Sequence, residues 1–326
     1  MKTPKFWYKD KTIFKNFLLP FTCIWLLGNF LNRLFTKPIK FDVPIICVGN
    51  LIAGGGGKTP ITIKLAEFLI KKGYKTHIIK KQYKSKNKEK VIFVDKNSDP
   101  SIVGDEALLT AEVASTWLTK NRSVGIQKAI DNGADLVILD DGLQDNSIIK
   151  DFNIITIKDS QKFGNNCIIP AGPLRESIQK GIEKADHIFY YGKKDTLKFI
   201  YQKKCIPITL VKTLYHKRGM LHKIKNKKVL AFTGIAHPEN FFNSTISYGL
   251  NLVKKIEFSD HYRYTRNDIK KVILISKNSK LSIVTTEKDY VKIPNDLRSK
   301  IFSIPLQIKF NEKKFYQQFL LKVNKK

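Results

Sequence analysis

The chain has 326 residues, enough for two ordinary α/β domains and short for three. With 42% hydrophobic and 27% charged residues, 18 Gly and 12 Pro, it excludes collagen-like, disulfide-scaffold and largely disordered proteins. Its 59 basic and 28 acidic side chains leave a formal net charge of +31, which invites a nucleic-acid reading. Only seven of the 59 are arginine and the lysines are scattered, so compositional bias or attraction to anionic lipid headgroups accounts for the charge better.

Lys2, Lys5, Lys9, Lys11 and Lys15 precede an apolar run at 16–31, NFLLPFTCIWLLGNFL. No small-x-small cleavage site follows, which argues against a signal peptide. Interrupted by Pro20, Gly28 and Asn29, the run falls short of the roughly 20 residues that span a bilayer. It predicts an amphipathic helix lying in the membrane interface with Trp7, Tyr8 and Trp25 at the boundary. A core helix packed on the following domain is the alternative.

From residue 41 strands and helices alternate. A strand at 42–50 leads through a glycine loop into a helix at 61–73; strands are expected at 74–80, 89–95, 134–141 and 152–157, and a helix at 104–115. This alternation predicts a doubly wound parallel sheet. After a lysine-rich stretch at 193–228, a second α/β unit reads strand 228–234, helix 238–249, strand 252–258, helix 265–276 and strand 281–287. The organisation expected is a membrane-associated segment at 1–36, a P-loop domain at 37–205 and a second α/β domain with its linker at 206–326.

Four cysteines, Cys23, Cys47, Cys167 and Cys205, form no CxxC pair, and the six histidines lack metal-ligand spacing. Neither a zinc site nor a disulfide framework is signalled, and a reducing compartment fits best.

The strongest motif is Gly54-Gly55-Gly56-Gly57-Lys58-Thr59 between a predicted strand and helix. In a phosphate-binding loop, glycines let backbone N–H groups converge on phosphate oxygens, Lys58 reaches the β/γ-phosphates and the Thr59 hydroxyl ligates Mg²⁺. The match is to the loop's second half only, because Ile52 stands where the full pattern wants glycine; Ile52 and Ala53 complete the expected nucleotide cradle. Asp140 and Asp141, after four apolar residues, supply carboxylates suited to the metal side. Asp105-Glu106, the rigid loop Pro170-Ala171-Gly172-Pro173-Leu174-Arg175-Glu176, and Asp260-His261-Tyr262 are each weak alone.

Together these motifs are specific. VGNLIAGGGGKTP, GDEALL, DDGLQ, FGNNCIIPAGPLRE, FTGIAHPENF, FSDHYRY and TTEKDYVK run in the order and spacing of the tetraacyldisaccharide 4′-kinase family, which the chain resembles over nearly its whole length. The resemblance implies two α/β/α sandwich domains joined by a short β-linker, the first P-loop NTPase-like. It implies transfer of the γ-phosphate of ATP to the 4′-hydroxyl of an acylated glucosamine disaccharide 1-phosphate, giving lipid IVA, by a peripheral enzyme at the cytoplasmic face of the inner membrane. Anionic inner-membrane lipids are the expected surroundings; nucleic acid and an obligate protein partner are not expected.

It further implies that Lys58 and Thr59 hold ATP and Mg²⁺, that Asp140, Asp141 and Glu106 serve the metal, that Asp105 pairs with His261 near the attacking hydroxyl, and that Arg175 and Glu176 line the cleft. Asp105 and His261 fall in different predicted domains, so closure of the cleft is expected to bring them together. The sequence departs from the family at Lys80-Lys81-Gln82-Tyr83-Lys84, where the family has Ser-Arg-Gly-Tyr-Gly, and at Leu143 and Asp145, where it has Phe and His. The rival class is a membrane-surface P-loop ATPase that acts as a switch or assembly factor, with water as nucleophile.

Overall fold

Strand β1, Ile45–Gly49, is buried along its whole length, and its side chains alternate between two apolar layers. Ile45 and Cys47 face one layer, Ile46 and Val48 the other, which is the pattern of a strand covered by helices on both faces. The computed structural model describes residues 4–9, 12–82, 90–192, 208–215, 224, 227–236, 238–260, 262–304 and 306–323.

Seven more strands join β1: β2 (Thr76–Lys81), β3 (Val91–Val94), β4 (Ser115–Thr119), β5 (Leu136–Asp140), β6 (Phe152–Lys158), β7 (His187–Tyr191) and β8 (Ile208–Leu210). Their order is β3-β4-β2-β5-β1-β6-β7-β8, parallel except for the antiparallel edge strand β3. Helix α1 (Ile13–Phe35) precedes the sheet, and α2 (Lys58–Lys71) follows β1. The short α3 (Pro100–Val103) and α4 (Asp105–Ala111) lie between β3 and β4 in sequence; α5 (Arg122–Asp131) and α6 (Ile178–Lys184) come later. Leu65 of α2 packs on one face of the sheet and Ile126 of α5 on the other. Strand order reverses at β1, flanked by β5 and β6, so the carboxyl end of β1 is the crevice where α/β sheets bind ligands.

After β9 (Lys212–Tyr215), the strands β10 (Lys228–Thr233), β11 (Asn251–Glu257), β12 (Ser282–Thr286) and β13 (Ile301–Ile304) form a parallel sheet ordered β11-β10-β12-β13. Phe241 and Phe242 of α7 (Pro238–Ser247) pack in one layer against it, and Ile269 and Val272 of α8 (Arg266–Asn278) in the other. Thr265 and Asp268 close a capping box that fixes where α8 starts. The short helices α9 (Glu287–Tyr290) and α10 (Asn295–Arg298) precede β13. Strand β14 (Leu306–Lys309) pairs with β9, and α11 (Glu312–Val323) ends the chain by placing Phe315 and Phe319 in the α2 layer of the first sheet.

Two compact units result, and they are interleaved rather than consecutive. One comprises Met1–Val94, Val113–Lys212 and Ile308–Lys326; the other comprises Asp95–Glu112 and Thr213–Gln307. Asp105 therefore belongs to the unit whose sequence range includes position 261. The inference that closure between domains unites Asp105 with His261 loses its basis.

The N-terminal segment also differs from expectation. Helix α1 runs 23 residues, straight through Pro20, and buries none of them, so a core helix is excluded. It is long and apolar enough to cross a membrane by length and composition, and the argument from shortness no longer holds.

Candidate active site

The loop after β1 folds back on itself, with the Gly56 amide donating to the Gly54 carbonyl at 2.9 Å. Gly57 adopts φ +77° as the N-cap of α2, and a Cβ there would lie 2.7 Å from the Tyr191 ring. A Cβ on Gly56 would lie 2.0 Å from Asn50 Nδ2, so neither position admits a side chain. Tyr191 donates its hydroxyl to the Gly57 carbonyl at 2.8 Å. The Lys58 ammonium donates to Asn50 Oδ1 at 3.2 Å and stands 3.5 Å from Asp141.

Ile52 and Ala53, expected in the nucleotide cradle, are tied to the Pro170–Glu176 loop. Ile52 is buried in the core and bridges Leu174, while the Ala53 amide donates to the Pro173 carbonyl at 2.7 Å. The Arg175 amide likewise donates to the Leu51 carbonyl at 2.8 Å. These residues clamp the glycine loop to the Pro170–Glu176 loop, and this explains an isoleucine where a standard loop has glycine.

The two aspartates at the end of β5 do different things. Asp140 is buried; its Oδ2 accepts from Thr59 Oγ1 at 3.2 Å and from the Lys80 ammonium. Asp141, at φ +63°, turns instead to cations, with Arg175 gripping both of its oxygens at 2.6 and 3.0 Å. Burial would raise the Asp141 pKa, but Lys58 and Arg175 outweigh it and hold the carboxyl at about 2. Gln144 links this pair to its surroundings, accepting from Arg175 at 3.0 Å and donating to Glu176 at 3.1 Å. Glu176 also pairs with Lys184. The backbone carbonyl of Arg175 accepts from Trp25 Nε1 of α1 at 3.1 Å, beside an apolar cleft lined by Phe21, Ile24, Ile169 and Pro170.

In the second unit, Asp105 opens α4 and lies 3.9 Å from the Lys288 ammonium; Glu106 is exposed on the same turn. Asp289, fully buried, accepts from Thr233 Oγ1 at 2.6 Å, Gly234 N at 3.1 Å and Thr286 Oγ1 at 2.8 Å, and pairs with Lys292 at 2.7 Å. The TTEKD segment thus ties β10 to β12 through Asp289 and directs Lys288 towards Asp105. His261, expected beside Asp105, lies outside the described residues, as do Tyr83 and Lys84.

A family model described as tetraacyldisaccharide-1-P 4′-kinase matches residues 14–324. The chain belongs to this family. Tetraacyldisaccharide 4′-kinase from Paramagnetospirillum magneticum is 36% identical over 92% of each chain, and the one from Rickettsia bellii 35% over 89% of each. The crystal structure of the "apo" form of LpxK from Aquifex aeolicus in complex with ATP superposes with a TM-score of 0.76 at 25% identity, over 94% of this chain and all of that one.

The departures from the tetraacyldisaccharide 4′-kinase pattern have local explanations. Asp145 pairs with the buried Arg122 at 2.8 Å, and the other arm of Arg122 donates to the Asp141 carbonyl at 2.7 Å. Although burial opposes it, hydrogen bonds from Ser147 and Arg122 hold the Asp145 pKa below the ordinary carboxylate value. Leu143 is buried in the core against Gly49, where a Cβ on the glycine would meet the leucine at 2.5 Å. Sequence reasoning gave no role to Asn50, Gln144, Tyr191 or Lys80. Asn50 and Gln144 lie inside the quoted motifs, whereas the ion pair of Lys80 depends on strand register.

Proposed function

We propose that this kinase transfers the γ-phosphoryl group of ATP to the 4′-hydroxyl of an acylated glucosamine disaccharide 1-phosphate at the crevice beyond β1 and β5, yielding lipid IVA. The observation that carries this reading is the convergence of Thr59 and Asp140 at 3.2 Å directly beneath a glycine loop whose Lys58 is held in place by Asn50. Phosphoryl transfer needs positioning and charge neutralisation more than covalent chemistry, and this site supplies fixed cations. Lys58 would grip the β/γ-phosphates. Arg175, pre-oriented by Asp141 and Gln144, would face charge that develops on the transferred group.

The residues fit a magnesium ion held by Thr59 and Asp140. Among the described residues no group of three or more His, Cys, Asp and Glu side chains could cage a metal, and magnesium needs none, because phosphate oxygens and waters complete its shell. When bound it would neutralise negative charge on the phosphates. Asp141 contributes through Arg175 and Lys58, and Glu176 positions Gln144. Asp105 is assigned as acceptor of the hydroxyl proton with His261 assisting, and its partner Lys288 orients it.

The lipid reading is supported by α1, an exposed apolar helix whose Trp25 hydrogen-bonds the backbone of Arg175, so that a membrane surface and the phosphate site share one loop. The enzyme is proposed to sit peripherally at the cytoplasmic face of the inner membrane among anionic lipids, with its lysines on headgroups. Lys58→Ala tests the nucleotide site: ATP binding and turnover should both collapse in a protein that unfolds as wild type does. Normal turnover by the folded variant would remove the P-loop assignment.

A further inference from the structure

Two charged side chains meet in the interior beside the P-loop. Strand register sets Lys80 of β2 directly opposite Asp140 of β5. The lysine side chain is 11% exposed and the aspartate 3%, and they form an ion pair. The oxygen that takes the ammonium, Asp140 Oδ2, is the same one that accepts the Thr59 hydroxyl. Burying two charges costs more solvation than a surface pair recovers, so stability alone is a poor reason for this arrangement. The ammonium occupies space beside the two oxygens assigned above to the metal.

We infer that Lys80 is a resident cation that holds the place of the divalent ion on Asp140 until nucleotide arrives, so that metal and ATP enter together and Lys80 then leaves the carboxylate. The inference rests on the proposed metal site at Thr59 and Asp140 and adds a positioning residue to it. In the nucleotide-free protein the ammonium takes up Asp140 Oδ2, the oxygen that also accepts the Thr59 hydroxyl. A divalent ion alone must compete with an ammonium already in contact, whereas a metal–nucleotide complex brings phosphate oxygens that offset the lost pair.

Mn²⁺ binding followed by electron paramagnetic resonance tests this without reference to turnover. Nucleotide-free wild type should bind Mn²⁺ far more weakly than it does with a non-hydrolysable ATP analogue present. Lys80→Met should bind Mn²⁺ alone at least about tenfold more tightly than wild type, a modest share of one unit charge at contact distance in a partly buried site. Lys80→Gln, which keeps a hydrogen-bond donor without charge, should do the same and serves if the methionine variant fails to fold. Lys80→Arg should behave as wild type. Wild-type affinity in both neutral variants, or equal Mn²⁺ affinity of wild type with and without nucleotide, overturns the role of Lys80. In that case loss of Mn²⁺–nucleotide binding in Asp140→Asn would leave the metal site itself standing. If Asp140→Asn binds Mn²⁺–nucleotide as wild type does, the metal site fails and the inference with it.

Discussion

Replacing Arg175 with methionine removes the two hydrogen bonds that grip Asp141 while keeping most of the apolar stem. Both side chains are largely shielded from solvent, at 22% and 17% exposure, so their interaction is only partly screened. Burial pushes the Asp141 pKa up; Lys58 and Arg175 together bring it to about 2, against an ordinary value of 3.8. A depression of roughly two pH units corresponds to about 2–3 kcal/mol of stability. Because the folded-state value is the lower one, that contribution is complete above the unfolded-state pKa and disappears as pH falls through the folded-state value. Lys58 remains in the variant, so the loss at neutral pH should be about 1 kcal/mol, a share of that total. Urea unfolding of both proteins from neutral pH down to about pH 2 measures it. The difference should be greatest at neutral pH and close across the interval from about pH 4 to about pH 2. A difference that stays constant with pH would refute the ion-pair account.

Phe315→Ala, which empties a fully buried site ringed by Phe152, Phe189, His187 and Phe319, should cost about 3–5 kcal/mol in urea unfolding; a loss under about 1 kcal/mol would mean that α11 does not anchor the first sheet. Asp289→Ala should cost a similar amount, about 3–5 kcal/mol, because it strands Lys292 at 6% exposure and removes the acceptor of Thr233, Gly234 and Thr286. Wild-type stability in that variant would show that the TTEKD aspartate does not tie the second sheet together. Deleting residues 1–36 should move the protein from the membrane to the soluble fraction with its unfolding transition retained, since α1 buries no residue of its own. Continued sedimentation with membranes would place the lipid contact elsewhere.

The placement of the glycine loop between β1 and α2, and of Asp140–Asp141 at the end of β5, was legible because the strand, loop and helix that present them are contiguous in sequence, and local pattern suffices. Pairs made between distant segments were not. Nothing in the spacing of Lys80 and Asp140 announces an ion pair until β2 and β5 are set side by side, and Arg122 meets Asp145 only through the turn after β5. The helix expected at 104–115 overran, because α4 stops at Ala111 and β4 begins at Ser115; short apolar runs carry too little periodicity to separate strand from helix. The same ambiguity hid β7. Pro20 and Gly28 read as breakers, yet α1 passes through both, since propensity is a weak prior against a long apolar segment. The most consequential omission was the crossing of 95–112 into the second unit, which moved Asp105 from one side of the expected boundary to the other. No local signal marks where a chain leaves one core for another.

In this kinase a lipid-borne hydroxyl, and not water, receives the phosphoryl group. Incubating the protein with γ-labelled ATP, Mg²⁺ and an acylated glucosamine disaccharide 1-phosphate in mixed micelles, then extracting the lipid, tests it directly. Label should appear in the extracted lipid at the 4′-position, with little release of free phosphate when the lipid is omitted. Equal release of labelled phosphate with and without lipid, and none in the extract, would contradict the account and make the protein a P-loop ATPase of another kind.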